Sequence, residues 1–551
     1  MPWRGLAALD LSIETKDGRM TETFRVLIAD PIHDDGRKLL EQCGDLSVDV
    51  ALGLDEAALV ARIPQYDALI VRSKTRVTAP VIAAGTALKV VGRAGIGVDN
   101  IDVPAATERG IVVFNTPDAN ATTTAELTIA HLLSLSRHLP QADRSVRSGA
   151  WTPTKFVGAE LAGKTVGIIG FGTIGRLVAQ RCAGLKMRVL AYDPFVQPDI
   201  MAQSAAEPHD LDALLAASDY VTLHCPMIDK TRNLIDANRI ALMKPGARLI
   251  NCARGGLVDE AALADALTRG HLAGAALDVF VQEPPKDSPF FALDNVVLTP
   301  HLGASTEEAQ QAVSVRIAED IARFLKSGAA ETAVNLPRIS SEQFGRTRPY
   351  QELAHALGRL VGALSDGPIS ELVVRLFGAV ADLDARPITA EALVGVLDKR
   401  LAGPVNRVNA AHLAKAQGIA FRESRSEQSR DYVSLIEVSA VSNGVTTTVA
   451  GTLLGGRSPR LVRIDSFDVE TVPRGHFLFT RHSDQPGVVG ALGSILAAED
   501  LNISRMHVGI DGNGGGEAAI ALISISSPIS DKGLAAVRAL PAVDTVVTFE
   551  L

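Results

Sequence analysis

The chain has 551 residues, 47% of them apolar, 21% charged and 4% aromatic, with a formal net charge of -9. That length exceeds what one hydrophobic core sustains, so about three or four domains are expected, and the aliphatic bias suits α/β layers. The acidic balance argues against nucleic acid as a partner, and no uninterrupted apolar run reaches the roughly 18 residues of a membrane span.

Residues 1–23 carry Glu14, Lys16 and Asp17 and no apolar core of signal-peptide length. They are read as a loose tail outside the fold, with Met20 an alternative initiator. From Phe24 onward β-branched runs alternate with helical stretches. FRVLIAD, DALIVRS, ALKVVGRAG and GIVVFNTP each end in a Gly, Pro, Ser or Asp cluster, the βαβ pattern of a parallel sheet. A helix is predicted near 120–138. A second unit starts at Lys164 with KTVGIIGFGTIG, a helix through Leu185 and the strand MRVLAYD, then YVTLHC, ARLIN, AGAALDVF and NVVLTPH. A helix over 306–327 leads to NLP at 335–337. The expected architecture is α/β, with two doubly wound, Rossmann-like lobes. A cofactor lobe (120–301) is inserted into a substrate lobe (24–119 and 302–337), with the active site in the crevice at the carboxyl ends of the strands.

Residues 338–472 read as a separate α+β domain. A helix (ELAHALGRLVGAL) opens it, strands SELVVRLFG and YVSLIEVSA follow, and GVTTTVAGTLLGGRSPRLVRID reads as a hairpin plus a strand. Residues 473–551 run strand, helix, strand, strand, helix, strand, the ferredoxin-like βαββαβ arrangement. Cys43, Cys182, Cys225 and Cys252 form no CxxC pair and sit in apolar runs. Buried free thiols, a reducing cytoplasmic location and no metal site are expected.

The strand TVGII runs into GFGTIG at 170–175, and an apolar-striped helix follows. Gly170 permits the tight turn, Gly172 lets backbone amides approach a pyrophosphate, and Gly175 allows close helix-to-strand packing. Asp193, at the end of the next strand, would accept from the ribose hydroxyls and repel a 2′-phosphate, which favours NAD over NADP. GRAGIG at 92–97 has the wrong spacing for this fingerprint and is expected as a loop facing the crevice; DGNGGGE at 511–517 is expected as a hairpin loop.

Three further segments end predicted strands: NCARGGLVDE with Arg254, DVFVQEPP with Glu283 and LTPHLGAST with His301. Removing hydride from a hydroxyl-bearing carbon needs a base for the hydroxyl proton, and histidine titrates in the right range. A carboxylate beside it fixes its orientation, and an arginine holds a substrate carboxylate by paired hydrogen bonds. Each residue alone has a bland structural reading; the ordered set downstream of a dinucleotide turn does not arise easily by chance.

The segments VGRAGIGVDNID, NTPDANATTTAEL, GKTVGIIGFGTIG, NCARGGLVDE, ALDVFVQEPP and TPHLGAST resemble the D-isomer-specific 2-hydroxyacid dehydrogenase family over nearly all of 24–337. The resemblance implies His301 as general acid/base, Glu283 as its partner and Arg254 as the substrate-orienting cation. It implies NAD along Thr173, Ile174, Asp193, Cys225, Cys252, Ala253 and Asp278, with the loop His301–Ala304, including Gly303, closing over it. Asp278 would meet the nicotinamide carboxamide. Arg72, Ser73, Arg93, Gly95 and Asn120 would line the substrate side, suited to a phosphate-bearing acid.

The C-terminal half resembles that of the family's long-form members, which act on 3-phosphoglycerate and open serine biosynthesis. VNAAHLAKAQGIAFRE is similar to their intervening domain and RHSDQPGVVGALGSILAAEDLNISRMHVG to the ACT domain, an amino-acid sensor. Effector contacts are carried over to His482, Asp484, Gly487 and Asn502, with L-serine as the candidate effector and a homotetramer as the implied assembly. Two positions depart from the pattern. Pro153 stands where several relatives have a basic residue, with Lys155 close by, and Asp484 stands where some have Asn. The competing readings are an enzyme for hydroxypyruvate or glyoxylate, and a NAD-sensing binding protein on the same fold.

Overall fold

The computed structural model describes residues 23–428, 431–510 and 518–551. Apart from Thr23, the expected tail at 1–23 and the expected loop at 511–517 lie outside the described residues.

The first sheet comprises β1 (Phe24–Ile28), β2 (Leu46–Val50), β3 (Ala68–Val71), β4 (Val90–Arg93) and β5 (Val112–Phe114), in the order β2-β1-β3-β4-β5. The second comprises β6 (Thr165–Ile169), β7 (Arg188–Tyr192), β8 (Glu207–Pro208), β9 (Tyr220–Leu223), β10 (Arg248–Asn251), β11 (Gly274–Leu277) and β12 (Val296–Leu298), in the order β12-β11-β10-β9-β6-β7-β8. Every pairing in both sheets is parallel. Helices cover both faces, so β3, β6, β9 and β11 are buried along their whole length and read as continuous apolar runs. The short edge strands β2 and β8 were not anticipated. Both lie at a sheet edge with mostly polar or exposed positions, which blurs their period.

Two long helices carry the chain between the sheets. Ala121–Arg137 leaves the first lobe and packs on β10, β11 and β12. Glu307–Ser327 returns and buries Val313, Ile317 and Ile321 against Val26, Ile28 and Phe114 of the first sheet. Strand order reverses between β1 and β3 in one sheet and between β6 and β9 in the other. The crevice at these carboxyl ends is where doubly wound sheets bind ligands.

The third sheet is mixed. It holds β13 (Ile369–Gly378), β14 (Ala420–Ser426), β15 (Ser434–Ser442), β16 (Val445–Leu454), β17 (Ser458–Ile464) and β18 (Phe467–Thr471), in the order β14-β13-β15-β16-β17-β18. Only β13 and β14 run parallel. Its opening helix is longer than ELAHALGRLVGAL, spanning Ser341–Leu364. Ser340 and Gln343 form a reciprocal cap that starts it early, and Pro349 forfeits only a bond to the carbonyl of exposed Gly345. It packs against Ala385–Leu397, which the sequence reading missed along with Ala410–Ala416, β14 and β18.

The fourth sheet holds β19 (His476–Ser483), β20 (Ile503–Ile510), β21 (Ala518–Ile525) and β22 (Val543–Glu550), antiparallel in the order β20-β21-β19-β22. Leu478 faces the helices Val488–Ala498 and Asp531–Arg538. The alternate face, with Phe477, Phe479, Ile520 and Leu522, shares one core with the third sheet. The third domain in turn grips the first lobe. Val408 is buried in that lobe's core, and the Asn406 side-chain amide donates to the Gly110 carbonyl at 2.8 Å.

Candidate active site

The glycine turn follows directly from β6. Gly170 has φ +93°, open to glycine at little cost, and a Cβ there would also meet the Cys225 amide nitrogen at 2.6 Å. A Cβ on Gly175 would come within 2.2 Å of the Gly170 carbonyl oxygen, whereas one on Gly172 would meet nothing within 4 Å. The helix Thr173–Gly184 begins at that open point with no side-chain cap, so its first amides are free for an anion. Thr173 Oγ1 donates to Asp118 Oδ1 across the lobes at 3.1 Å, and Ile174 is half-buried.

Asp193 accepts from the backbone amides of Phe171 (2.8 Å) and Phe195 (2.9 Å), and so braces the turn from the end of β7. It remains half-exposed. Burial pushes the Cys225 thiol up to about 11 and that of Cys252 up to about 12, so both are packing groups, not thiolates. The open cradle at Gly172, the free helix amides and the carboxylate at Asp193 fit a dinucleotide with an unphosphorylated ribose.

Arg254 follows β10 in a bend held by Asn251, whose side chain accepts from Ala253 N (3.0 Å) and donates to Arg254 O (2.8 Å). The guanidinium donates from Nε to Asp99 Oδ2 at 2.7 Å and from Nη1 to Ala253 O at 2.6 Å. Its Nη2 lies where a Cβ on Gly97 would be, 1.6 Å away. The backbone after Arg254 packs tightly on Phe280: a Cβ on Gly255 would come within 2.0 Å of the Phe280 carbonyl carbon. The Phe280 amide donates to Glu283 Oε1 at 3.1 Å, which brings Arg254 beside the Glu283 carboxylate.

Glu283 Oε2 lies 2.7 Å from His301 Nδ1. Burial raises the Glu283 pKa, but the hydrogen bond and charge of His301, the Phe280 amide and Arg254 outweigh it and hold the carboxyl below its usual range. His301 has a left-handed backbone, φ +56°, and its loop is pinned from below. Asp278, fully buried, accepts from Leu302 N at 2.7 Å and Gly303 N at 3.0 Å, while Thr124 Oγ1 donates to the Gly303 carbonyl at 2.7 Å. Ala304 is half-buried beside it.

On the substrate side Arg93 folds over the GRAGIG loop, its Nη1 only 1.4 Å from where a Gly95 Cβ would be. Burial lowers the Arg93 pKa to about 10, and repulsion from Arg254 and Arg72 adds to the shift. Three guanidinium groups thus converge. Arg93 Nε and Asn120 Oδ1 are both buried without a partner. Ser73 is exposed and Arg72 half-buried. Their segment hangs on Asp30, which accepts from Arg72 N (2.7 Å), Thr75 N (3.1 Å) and Thr75 Oγ1 (2.8 Å).

Sequence reasoning passed over Asp30, Asp99, Asn115, Thr116 and Asn251. Asn115 and Thr116 bind the GRAGIG loop through Ile96 O and Gly95 O, and each keeps one buried oxygen unpartnered. The available signal was positional: all but Asp99 stand at or just beyond the carboxyl end of a strand.

The four effector candidates do not form one exposed set. Asp484 and Gly487 lie exposed just beyond the carboxyl end of β19, where Gly487 (φ +98°) starts the helix Val488–Ala498, whereas exposed Asn502 precedes β20 at the opposite end of the sheet, beside Ser526. His482 ends the predicted strand HFLFTRH and is not available to an effector at the surface. It sits inside β19, 2% exposed, because its position in the alternation turns it under the helices.

Comparison with known families matches residues 129–303 to the D-isomer specific 2-hydroxyacid dehydrogenase NAD binding domain, 346–465 to the D-3-phosphoglycerate dehydrogenase intervening domain and 476–542 to the ACT domain. The D-3-phosphoglycerate dehydrogenase of Synechocystis sp. is 42% identical over 96% of this chain and 95% of its own length. That of Archaeoglobus fulgidus is 43% identical over 92% of this chain and 96% of its own. The D-lactate dehydrogenase of Aquifex aeolicus, solved with NAD and lactic acid, is 28% identical with a TM-score of 0.51, covering 55% of this chain and 95% of its own. The resemblance therefore runs through all four sheets, and the chain belongs to the D-3-phosphoglycerate dehydrogenase family, the long form with intervening and ACT domains within the NAD-binding 2-hydroxyacid dehydrogenases.

Proposed function

We propose that this protein oxidises 3-phospho-D-glycerate to 3-phosphohydroxypyruvate with NAD, the first step of L-serine biosynthesis. The observation that carries the reading is the His301–Glu283 pair at 2.7 Å, with Arg254 acting on the same carboxylate. NAD, when bound, supplies the two-electron acceptor. With Nδ1 engaged by Glu283, the Nε2 of His301 is the atom left to take the substrate hydroxyl proton, and the ionised carboxylate stabilises the imidazolium that results. Arg254 holds the substrate carboxylate with the nitrogen that Asp99 and Ala253 leave free. Arg72, Ser73, Arg93, Gly95 and Asn120 receive the phosphate, whose negative charge relieves the repulsion among the guanidinium groups. Asp278 Oδ2 accepts only from Gly303 N, and the remaining acceptor capacity suits a carboxamide N–H.

Purified protein with NAD and a panel of D-hydroxyacids tests this by NADH absorbance. Turnover is expected with 3-phosphoglycerate above its unphosphorylated analogues, and His301→Ala is expected to lower kcat by roughly 10²–10⁴-fold. Preference for glycerate or a lactate-type acid would overturn the substrate. NAD binding without any turnover would favour a sensor instead.

The ACT module is further proposed to bind L-serine at a dimer interface, where pairing of two modules would bring Asp484 and Gly487 at one end of the sheet to Asn502 at the other. The uncapped start of the helix Val488–Ala498 suits the amino acid's carboxylate. A serine titration should lower the rate and raise Tm, and no change in either would remove the effector. A homotetramer is proposed as the assembly. Trp151 (82% exposed) and Val157 (78%) are apolar groups that a neighbouring subunit would cover, and light scattering measures the mass directly.

A further inference from the structure

Asp278 is fully buried, and a buried carboxylate is costly unless donors satisfy it. Two of its donors are the amides of Leu302 and Gly303, the residues that follow His301. The third is Thr299 Oγ1 at 2.6 Å, on the residue before Pro300. Together they fix the loop on both sides of the catalytic imidazole. Such a grip is needed, because His301 holds a left-handed backbone that a side-chain-bearing residue keeps only when its surroundings over-determine it.

The Thr299 hydroxyl has one proton, and it goes to Asp278. At its other contact the same oxygen must accept. That contact is His131 Nε2 at 3.0 Å, on the helix Ala121–Arg137 that crosses between the lobes. The imidazole is therefore the donor, with its proton on Nε2. Burial lowers the His131 pKa, which outweighs the opposite pull of Asp278 and keeps the ring neutral. His131 is 3% exposed and lines the floor of a cavity of about 420 Å³ bordered by Leu127, Pro140, Arg144 and Phe290.

We infer that His131 is a positioning residue for the dehydrogenase reaction, setting the His301 loop through a directed relay, His131 N–H to Thr299 O–H to the Asp278 carboxylate. The inference rests on His301 being the base, as proposed above. His131 approaches the reaction only through Thr299 and Asp278. Without its donation, the Thr299 hydroxyl can rotate away from Asp278, the carboxylate loses one of its three donors, and the imidazole drifts relative to the bound substrate. Small displacements of a reacting group are expensive in rate and cheap in affinity. The substrate-side groups Arg72, Arg93 and Arg254 lie on other segments, so the effect belongs in kcat rather than KM.

Steady-state kinetics on the full-length protein with 3-phosphoglycerate and NAD, together with NADH binding by fluorescence, test this. Thr299→Val and His131→Leu are expected to lower kcat about ten-fold or more, with the KM for 3-phosphoglycerate within about two-fold and NADH still bound. Thr299→Ser keeps the hydroxyl, and His131→Gln supplies an amide donor; both should restore most of kcat. The double variant His131→Leu/Thr299→Val should be no worse than the poorer single variant, because one relay is broken once. An unchanged kcat in the Val and Leu variants overturns the relay, as does equal damage from the Ser and Gln variants or a loss expressed in the KM for 3-phosphoglycerate. If Thr299→Val or His131→Leu does not fold, the Ser and Gln variants still decide, since damage there contradicts the relay. Wild-type protein without turnover, or His301→Ala without loss, would instead sink the proposed base and not the hydrogen-bond chain.

Discussion

Two glycine-rich loops face each other across the crevice, and they use glycine for opposite reasons. At 170–175 the constraint is backbone. Gly170 needs a positive φ, and Gly175 lies against the Gly170 carbonyl, so the chain can turn sharply into a helix whose amides meet an anion. At 92–97 side chains are the constraint. Gly95 and Gly97 leave the volume that the guanidinium tips of Arg93 and Arg254 occupy. One loop offers an anion peptide dipoles, the other guanidinium groups brought in from two lobes. Similar letters thus encode a backbone cradle in one lobe and room for cationic side chains in the other.

The two loops should respond differently to substitution. The largest effect is expected from Arg254→Gln, which removes the charge-assisted bond from the free guanidinium nitrogen and should cut kcat/KM by about 10²-fold while leaving NADH binding intact. Next comes Gly175→Ala. Its methyl meets backbone that cannot retreat, so overpacking should cost about 1–3 kcal/mol, seen as a lower Tm together with lost NADH binding. Gly97→Ala displaces only side-chain ends, those of Arg254 and of its partner Asp99. It should raise KM for 3-phosphoglycerate about ten-fold with Tm unchanged, and a Tm loss equal to that of Gly175→Ala would erase the distinction. Asp193→Ala should weaken NAD binding and narrow its preference over NADP, measured by comparing Kd for the two cofactors.

The smallest effect concerns pH. Glu283 has a folded pKa below its ordinary 4.5, so its contribution to stability is fully present above that value and is lost as pH falls through the folded one. The Tm difference between wild type and Glu283→Gln should therefore shrink as the pH is taken from 7 toward 3. The pair is partly exposed, which keeps the difference small even at neutral pH.

Parallel strands and the candidate trio Arg254, Glu283 and His301 were legible because their signals are local. A strand buried on both faces is a continuous apolar run, and the candidate residues stand at or beyond its end. Legibility failed where the pattern is weak or the partner is distant. The edge strands β2 and β8 carry mostly polar or exposed positions. The helix Ala385–Leu397 is buried nearly all round, which removes the amphipathic period that would have marked it. His482 stands at the end of the predicted strand HFLFTRH, but near a strand end the sequence did not show that its side chain turns inward. Asp30 was invisible as a support because it holds another segment's backbone, and Asn251 because it braces an irregular bend that no periodicity marks.

The amino-acid order alone determined the dinucleotide turn, the succession of domains and the identity of the residues at the strand ends, because backbone angles and apolar period are set within a few neighbouring positions. Only the tertiary structure decided which of those residues meet. Asp99 reaches Arg254, Thr124 holds Gly303 and His131 supports Thr299, each pair drawn from distant stretches of chain. Such contacts depend on the order of strands and on how two helices cross, and no local preference in the chain encodes either.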